Sequence, residues 1–208
     1  MTRSYQFVPI LTMGMAAIAL FAAPAFADHH GETADLSGKH VVFLVGENVH
    51  DMETLAPMAY LVNRGASITV VGVEPGVVDA YNSDITIRVE KSVDDVSVDD
   101  FDAMVIPGGQ SPEFLRQHEN VVQFAADFVN SGKVTAAICH GPQVLITAGV
   151  LEGRAATCFS AVQGELEEAG AHYQDVPVLR DGNIITSRIP DDIPVFCQTI
   201  EEAMVEQS

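Results

Sequence analysis

The sequence has no tryptophan, three cysteines and only ten basic side chains among 208 residues. Three cysteines in a chain of this length exclude a disulfide-stapled miniprotein. Ten Lys and Arg against 29 Asp and Glu give a formal net charge of −19. Such a charge repels phosphate backbones and anionic headgroups, which argues against nucleic-acid and lipid-surface binding. Past the first 27 residues no apolar run approaches the roughly 20 residues that span a bilayer. A hydrophobic fraction of 48% is ample for a buried core and excludes disorder as a global description. The length predicts one domain.

Residues 1–27 read as a secretory signal. Arg3 supplies a positive start, Val8 to Ala23 an apolar stretch, and Ala25-Phe26-Ala27 a small-x-small cleavage site. Cleavage after Ala27 removes one charged residue and leaves 181 residues with a net charge of −20, exported to the periplasm or beyond. No lipobox cysteine follows, so no lipid anchor and no membrane attachment is expected after cleavage. Residues 28–38 are polar and Gly-containing, a flexible lead-in. His29-His30 within it is read as a solvated pair, and no metal site is expected.

Strands then alternate with helices. His40 to Val45 and Ser67 to Val73 are continuous apolar runs, the pattern of strands buried on both faces. Between them Asp51 to Arg64 carries Met52, Leu55, Met58, Ala59 and Val62 at helical spacing, closed by Gly65. Val77 to Val89 reads as a hairpin turning at Asn82-Ser83-Asp84, and Asp94 to Asp100 as an acidic connector without the glycine turn of a calcium loop. Ala103 to Ile106 and Val134 to Ile138 are further strands. Helices are expected at Glu119 to Ser131, Pro142 to Ala148, Ala161 to Ala169 and Ile193 to Val205. A short strand ends at Thr157, and Val176 to Leu179 pairs with Ile184 to Ser187 around Asp181-Gly182-Asn183. Residues 39–206 therefore form one α/β domain around a mostly parallel sheet with helices on both faces. Sites in such sheets form at the carboxyl ends of the strands, here Gly46 to Glu53, Pro107 to Glu113 and Cys139 to Pro142.

Cys139 stands where an apolar strand meets a helix whose first turn holds Pro142, the layout of a nucleophile elbow with cysteine in place of serine. The helix start directs free amides and a positive dipole end at the sulfur, which predicts a lowered thiol pKa. His140 is a candidate base. Adjacent residues on a helix point apart, so a Cys139–His140 pair requires a non-helical turn and a third group to orient the ring.

Ala136-Ala137-Ile138-Cys139-His140-Gly141-Pro142-Gln143 resembles the nucleophile motif of the PfpI family, within the ThiJ/PfpI, class I glutamine amidotransferase-like superfamily. Phe101-Asp102-Ala103, Pro107-Gly108-Gly109, Ser111-Pro112-Glu113, Asp181-Gly182-Asn183 and Thr186 to Pro194 extend the likeness over residues 39–205. The resemblance implies a flavodoxin-like three-layer sandwich. It implies Cys139 as nucleophile, His140 as its partner, and Glu113 orienting that histidine from a neighbouring subunit of a dimer or hexamer. It also implies an oxyanion hole from the amides of Gly109 and His140, with Gly108 in the substrate-binding loop. Glu53 matches the superfamily carboxylate that hydrogen-bonds the sulfur; buried there, it would be partly protonated at neutral pH and able to shuttle a proton. Three positions depart from the pattern: His50 where a Glu is frequent, Phe159 where an aromatic with a polar tip is frequent, and Cys158 in place of a small hydroxyl residue. In an oxidising compartment a disulfide from Cys139 to Cys158 or Cys197 enters consideration, against the reading of both as small core residues.

The implied activity is a stress-protection enzyme acting on reactive carbonyls or glycated amines, with no cofactor. A cysteine peptidase uses the same constellation, and a redox sensor or holdase would use an oxidisable Cys139. The sequence leaves these open.

Overall fold

A computed structural model describes residues 34–207. The signal reading of residues 1–27 and the His29-His30 pair lie outside the described residues. In chain order the elements are β1 (His40–Leu44), α1 (Asp51–Asn63), β2 (Ser67–Gly72), β3 (Gly76–Asp79), β4 (Thr86–Val89) and β5 (Lys91–Ser92). Then come β6 (Ala103–Ile106), α2 (Ser111–Leu115), α3 (Glu119–Asn130), β7 (Val134–Ile138), α4 (Pro142–Thr147), β8 (Ala155–Ala156) and α5 (Gln163–Glu168). β9 (His172–Tyr173), β10 (Val178–Asp181), β11 (Ile184–Ser187) and α6 (Ile193–Glu206) complete the chain.

Seven strands form one sheet in the order β10-β11-β7-β6-β1-β2-β5. Every pairing in it is parallel except β10 with β11, the hairpin around Gly182. The flavodoxin-like sandwich expected from the sequence is the fold observed. Alternation along the central strand builds both cores. Val41, Phe43 and Val45 face Leu61 of α1 and Phe196 and Ile200 of α6. Val42 and Leu44 face Phe124 and Phe128 of α3, Leu145 of α4 and Leu166 of α5. Period two in a strand sends neighbouring side chains to opposite faces, so a doubly buried strand is apolar throughout. On the α1 face, the buried Glu201 of α6 is satisfied by Ala34 N–H (3.0 Å), Arg64 Nε (3.2 Å) and the Tyr60 hydroxyl.

Several short elements differ from the expectation. The strand near Thr157 is Ala155–Ala156, paired with β9 in a separate two-stranded sheet. β5 adds an edge strand of two residues beside β2. The loop after β6 becomes helical at Ser111, with Pro112 in its first turn. The acidic connector is two single 3-10 turns, each started by a serine: the Ser92 and Ser97 hydroxyls accept from Asp94 N–H and Asp99 N–H.

From β1 the chain runs outward through β2 to β5 on one side, then crosses back to β6 on the other, so the strand order reverses between β1 and β6. A crevice opens at such a switch point, outside the carboxyl ends of the strands. The turn after β7 enters it with almost no clearance. Gly141 has ordinary helical torsions, yet a Cβ there would lie 2.3 Å from Ile106 O and 2.9 Å from both Ile138 N and O. Glycine is required for space rather than for torsion. Gly141→Ala should therefore lower the urea midpoint, with a loss of about 1–3 kcal/mol from overpacking, and should displace the turn that carries Cys139.

Candidate active site

Three loops at the switch point bring the predicted residues together. Cys139 follows β7 with φ +62°, one of two non-glycine residues among those described with positive φ. Its N–H donates to Ser187 O (3.0 Å), and its carbonyl accepts from Phe159 N–H (3.0 Å). This turn answers the objection that neighbouring residues point apart. His140 Nδ1 lies 3.2 Å from Cys139 Sγ.

Glu53, in the first turn of α1, is fully buried. Its Oε2 accepts from Gly108 N–H (2.9 Å), while Oε1 is buried without a conventional hydrogen-bond partner. The carboxyl lies against the Cys139 thiol. Gly108 makes that approach possible: a Cβ there would lie 2.6 Å from Glu53 Oε2 and 2.8 Å from Cys139 Cβ. The Gly108 amide is thus committed to Glu53 rather than to substrate. The amides of Gly109 and His140 are directed at the Cys139 sulfur. Gly109 has φ +76°, and a Cβ there would lie 2.5 Å from Asn48 O.

Electrostatics correct one expectation and support another. The Cys139 thiol pKa is raised, not lowered: burial pushes it up, as does the Glu53 carboxylate, and the Gly109 and His140 amides oppose them only in part. α4 has six residues, so its dipole is a small counterweight. Burial also pushes Glu53 up, to about 7. Glu53 therefore titrates near neutrality while the buried thiol keeps its proton, and a neutral Glu53 relieves one of the repulsions that oppose a thiolate. His140 is held below the usual histidine value by burial, with Glu165 opposing and His50 assisting, so its ring is a neutral acceptor at pH 7.

Glu113 lines the same cleft but does not touch His140 within the chain; its carboxylate is ion-paired with Arg116. Arg116 also holds Glu165, which accepts from Gln143 Nε2 (3.0 Å). No local pattern signals this Glu113–Arg116–Glu165–Gln143 chain, whose members lie on three helices far apart in sequence. His50 sits at the rim, its Nε2 2.9 Å from Asn82 Nδ2 and its Nδ1 3.3 Å from Asp51 Oδ1. The Phe159 ring lies 5.0 Å from the His140 ring, closing the site with an apolar wall. All three cysteines are free and buried, Cys158 and Cys197 within the two cores, so neither is bridged to Cys139. The cleft has a volume of about 770 Å³. Phe114 forms part of its wall, packed over Gly46 so closely that a Cβ at 46 would lie 2.7 Å from the ring.

Residues 39–203 match the DJ-1/PfpI family. The chain belongs to the DJ-1/PfpI family. The Escherichia coli protein named protein/nucleic acid deglycase 2 is 37% identical over 160 residues, 76% of this chain and 93% of that one. Deglycase PfpI of Pyrococcus furiosus is 37% identical over 153 residues, 74% and 92% of the two chains. Among solved structures, DJ-1beta of Drosophila melanogaster superposes with a TM-score of 0.74, at 28% identity, over 80% of this chain and 90% of that one.

The raised Glu53 pKa has a measurable consequence. Below its unfolded value both states bind the proton and Glu53 costs nothing. As pH rises from about 4.5 to about 7 the unfolded chain ionises first, so native stability falls through that window and levels off above it. Glu53→Gln removes this dependence. Urea midpoints taken from pH 4.5 to 8 should decline more in the wild type than in Glu53→Gln.

Proposed function

We propose that this chain is a cysteine-dependent deglycase of the PfpI type, removing dicarbonyl adducts from amines and consuming the free dicarbonyl. The observation that carries the reading is the wholly buried Glu53, poised near neutrality against the nucleophile. A peptidase needs a base for its thiol and an acid for the leaving amine, and a histidine serves both. Moving a proton between adjacent carbons calls for a second proton carrier, which a half-protonated carboxyl provides.

In the reaction with a methylglyoxal aminocarbinol, Cys139 Sγ bonds to the carbinol carbon and the carbon–nitrogen bond breaks. The thiol proton passes through His140 to the departing amine. The hemithioacetal carbon then gives its proton to Glu53, the hydroxyl proton passes to the neighbouring carbonyl oxygen, and Glu53 returns its proton to that carbonyl's carbon, leaving a lactoyl thioester. Water hydrolyses the thioester to lactate and restores the thiol. Oxidation of one carbon is balanced by reduction of its neighbour, so no external oxidant enters. The Gly109 and His140 amides are the donors available to the oxygen that gains charge.

The remaining assignments belong to the same reading. Glu113, held outward by Arg116, would complete the site by orienting the free edge of His140 in a second copy of the chain, making a homo-oligomer the active form. The enzyme would be exported after cleavage at Ala27, which the mass of the protein recovered from the periplasm tests. Homologues named as deglycases support the amine-adduct class of substrate.

Cys139→Ala should abolish methylglyoxal consumption and release of amine from its adducts, followed by lactate formation. His140→Ala should lower kcat by about 10²–10⁴-fold, the usual contribution of a positioned base. Full activity in Cys139→Ala would overturn the reading, and peptide cleavage without lactate formation would replace it with the peptidase.

A further inference from the structure

The cleft at Cys139 is far larger than a three-carbon dicarbonyl such as methylglyoxal. Its volume of about 770 Å³ is that of a site for drug-sized ligands. A neighbouring cavity of about 360 Å³ shares Glu47 and Phe114 with it and is apolar along Val73, Pro75, Val77 and Val89. The cleft itself has a different character. Asn48, Tyr81 and Gln110 line it, all three are exposed, and their side chains make no hydrogen bond with any described residue.

The main chains of the same residues are tied into one small ladder. Val49, wholly buried, bridges Ala80 in parallel on one side and Gly109 antiparallel on the other. Tyr81 N–H donates to Val49 O (2.8 Å), and Gln110 N–H to Asn48 O (2.9 Å). Asn48 holds φ +53°, a left-handed torsion that asparagine adopts more readily than most residues. The ladder thus mounts three free polar side chains on a fixed backbone. It also carries Gly109, whose amide is directed at the sulfur. A backbone fixed before a ligand arrives lowers the cost of binding it.

These groups are uncharged. A phenol and two carboxamides offer both donors and acceptors, which matches alcohol groups, themselves donors and acceptors. Among the described residues no Lys or Arg lines the cleft, whereas Glu47 does. A phosphate or carboxylate on the substrate would meet repulsion with no cation at the wall to offset it. We propose that Asn48, Tyr81 and Gln110 form a subsite for the hydroxylated tail of a sugar-derived 2-oxoaldehyde. The inference rests on the carbonyl chemistry proposed for Cys139. The aldehyde carbon bonds to Sγ, and the thiol proton passes to the aldehyde oxygen. Internal proton transfer and hydrolysis then follow as for methylglyoxal. The aldehyde carbon is oxidised, the adjacent ketone carbon is reduced, one water is consumed, and a 2-hydroxy acid leaves with its tail unchanged.

3-Deoxyglucosone and 2-oxohexanal test the assignment, because they share one carbon chain and differ only in the hydroxyls of the tail. Tyr81→Phe and Gln110→Ala should each lower the ratio of kcat/KM for 3-deoxyglucosone to that for 2-oxohexanal by about 3–10-fold, mainly through KM, the loss of one hydrogen bond between uncharged groups. A merely structural loss would lower both values and leave their ratio alone. An unchanged ratio in either variant overturns the subsite while leaving the deglycase intact. With Cys139→Ala as a non-reacting background, saturation-transfer NMR should show the tail protons of 3-deoxyglucosone against the protein, with less transfer once Tyr81→Ala is added. Contact at the tail without turnover of either compound overturns the deglycase and keeps the subsite. No contact at the tail overturns the subsite.

Discussion

The left-handed backbone at Cys139 is the constraint on which the site depends. A residue with a side chain loses on the order of 1–2 kcal/mol in that region, and holds it only where neighbours over-determine the turn. Here the neighbours are two main-chain hydrogen bonds, from Cys139 N–H to Ser187 O and from Phe159 N–H to Cys139 O. Each comes from chain that follows Cys139 in sequence, one from β11 and one from the loop after β8. The nucleophile is thus set by the C-terminal half of the fold, although its carboxyl partner comes from α1. The relaxed alternative would let the helix begin earlier and would carry the sulfur away from His140.

Burial is the second constraint, and it acts on both members of the central pair. Water is excluded from Glu53 entirely and nearly so from Cys139. In that environment neither group ionises easily, and each is the other's most immediate electrostatic neighbour. The sulfur is therefore not activated by a simple lowered pKa. Its reactivity is tied to the protonation of a carboxyl, which makes nucleophile and proton carrier parts of one acid–base unit.

Most of the sheet was legible because β1, β2, β6 and β7 are apolar without interruption, a pattern that few other settings allow. β8 was read one residue late, at Thr157, and β5 and β9 were not legible, because two residues carry no periodicity and become strands only by lying beside a partner. Within the site, Cys139, His140 and Glu53 stood out through the motifs around them. The direction of the thiol shift did not, because the sequence displays the helix that follows Cys139 but not the carboxyl folded against it. Arg116 and Glu165 were silent for a related reason. Their pairing spans 49 residues and exists only after α2 and α5 pack on the same side of the sheet. His50, conspicuous as a departure, occupies the rim and contacts the hairpin through Asn82 rather than the sulfur.

The contact between Gly46 and Phe114 bears on how such a scaffold diversifies. Phe114 is the wall shared by the cleft and the adjoining cavity, and it rests where it does because position 46 has no side chain. One added methyl group would force the ring to shift and so reshape that wall, without touching Cys139, His140 or Glu53. Position 46 therefore behaves as a shape setting, one that changes what the cleft admits and not what its reacting groups do.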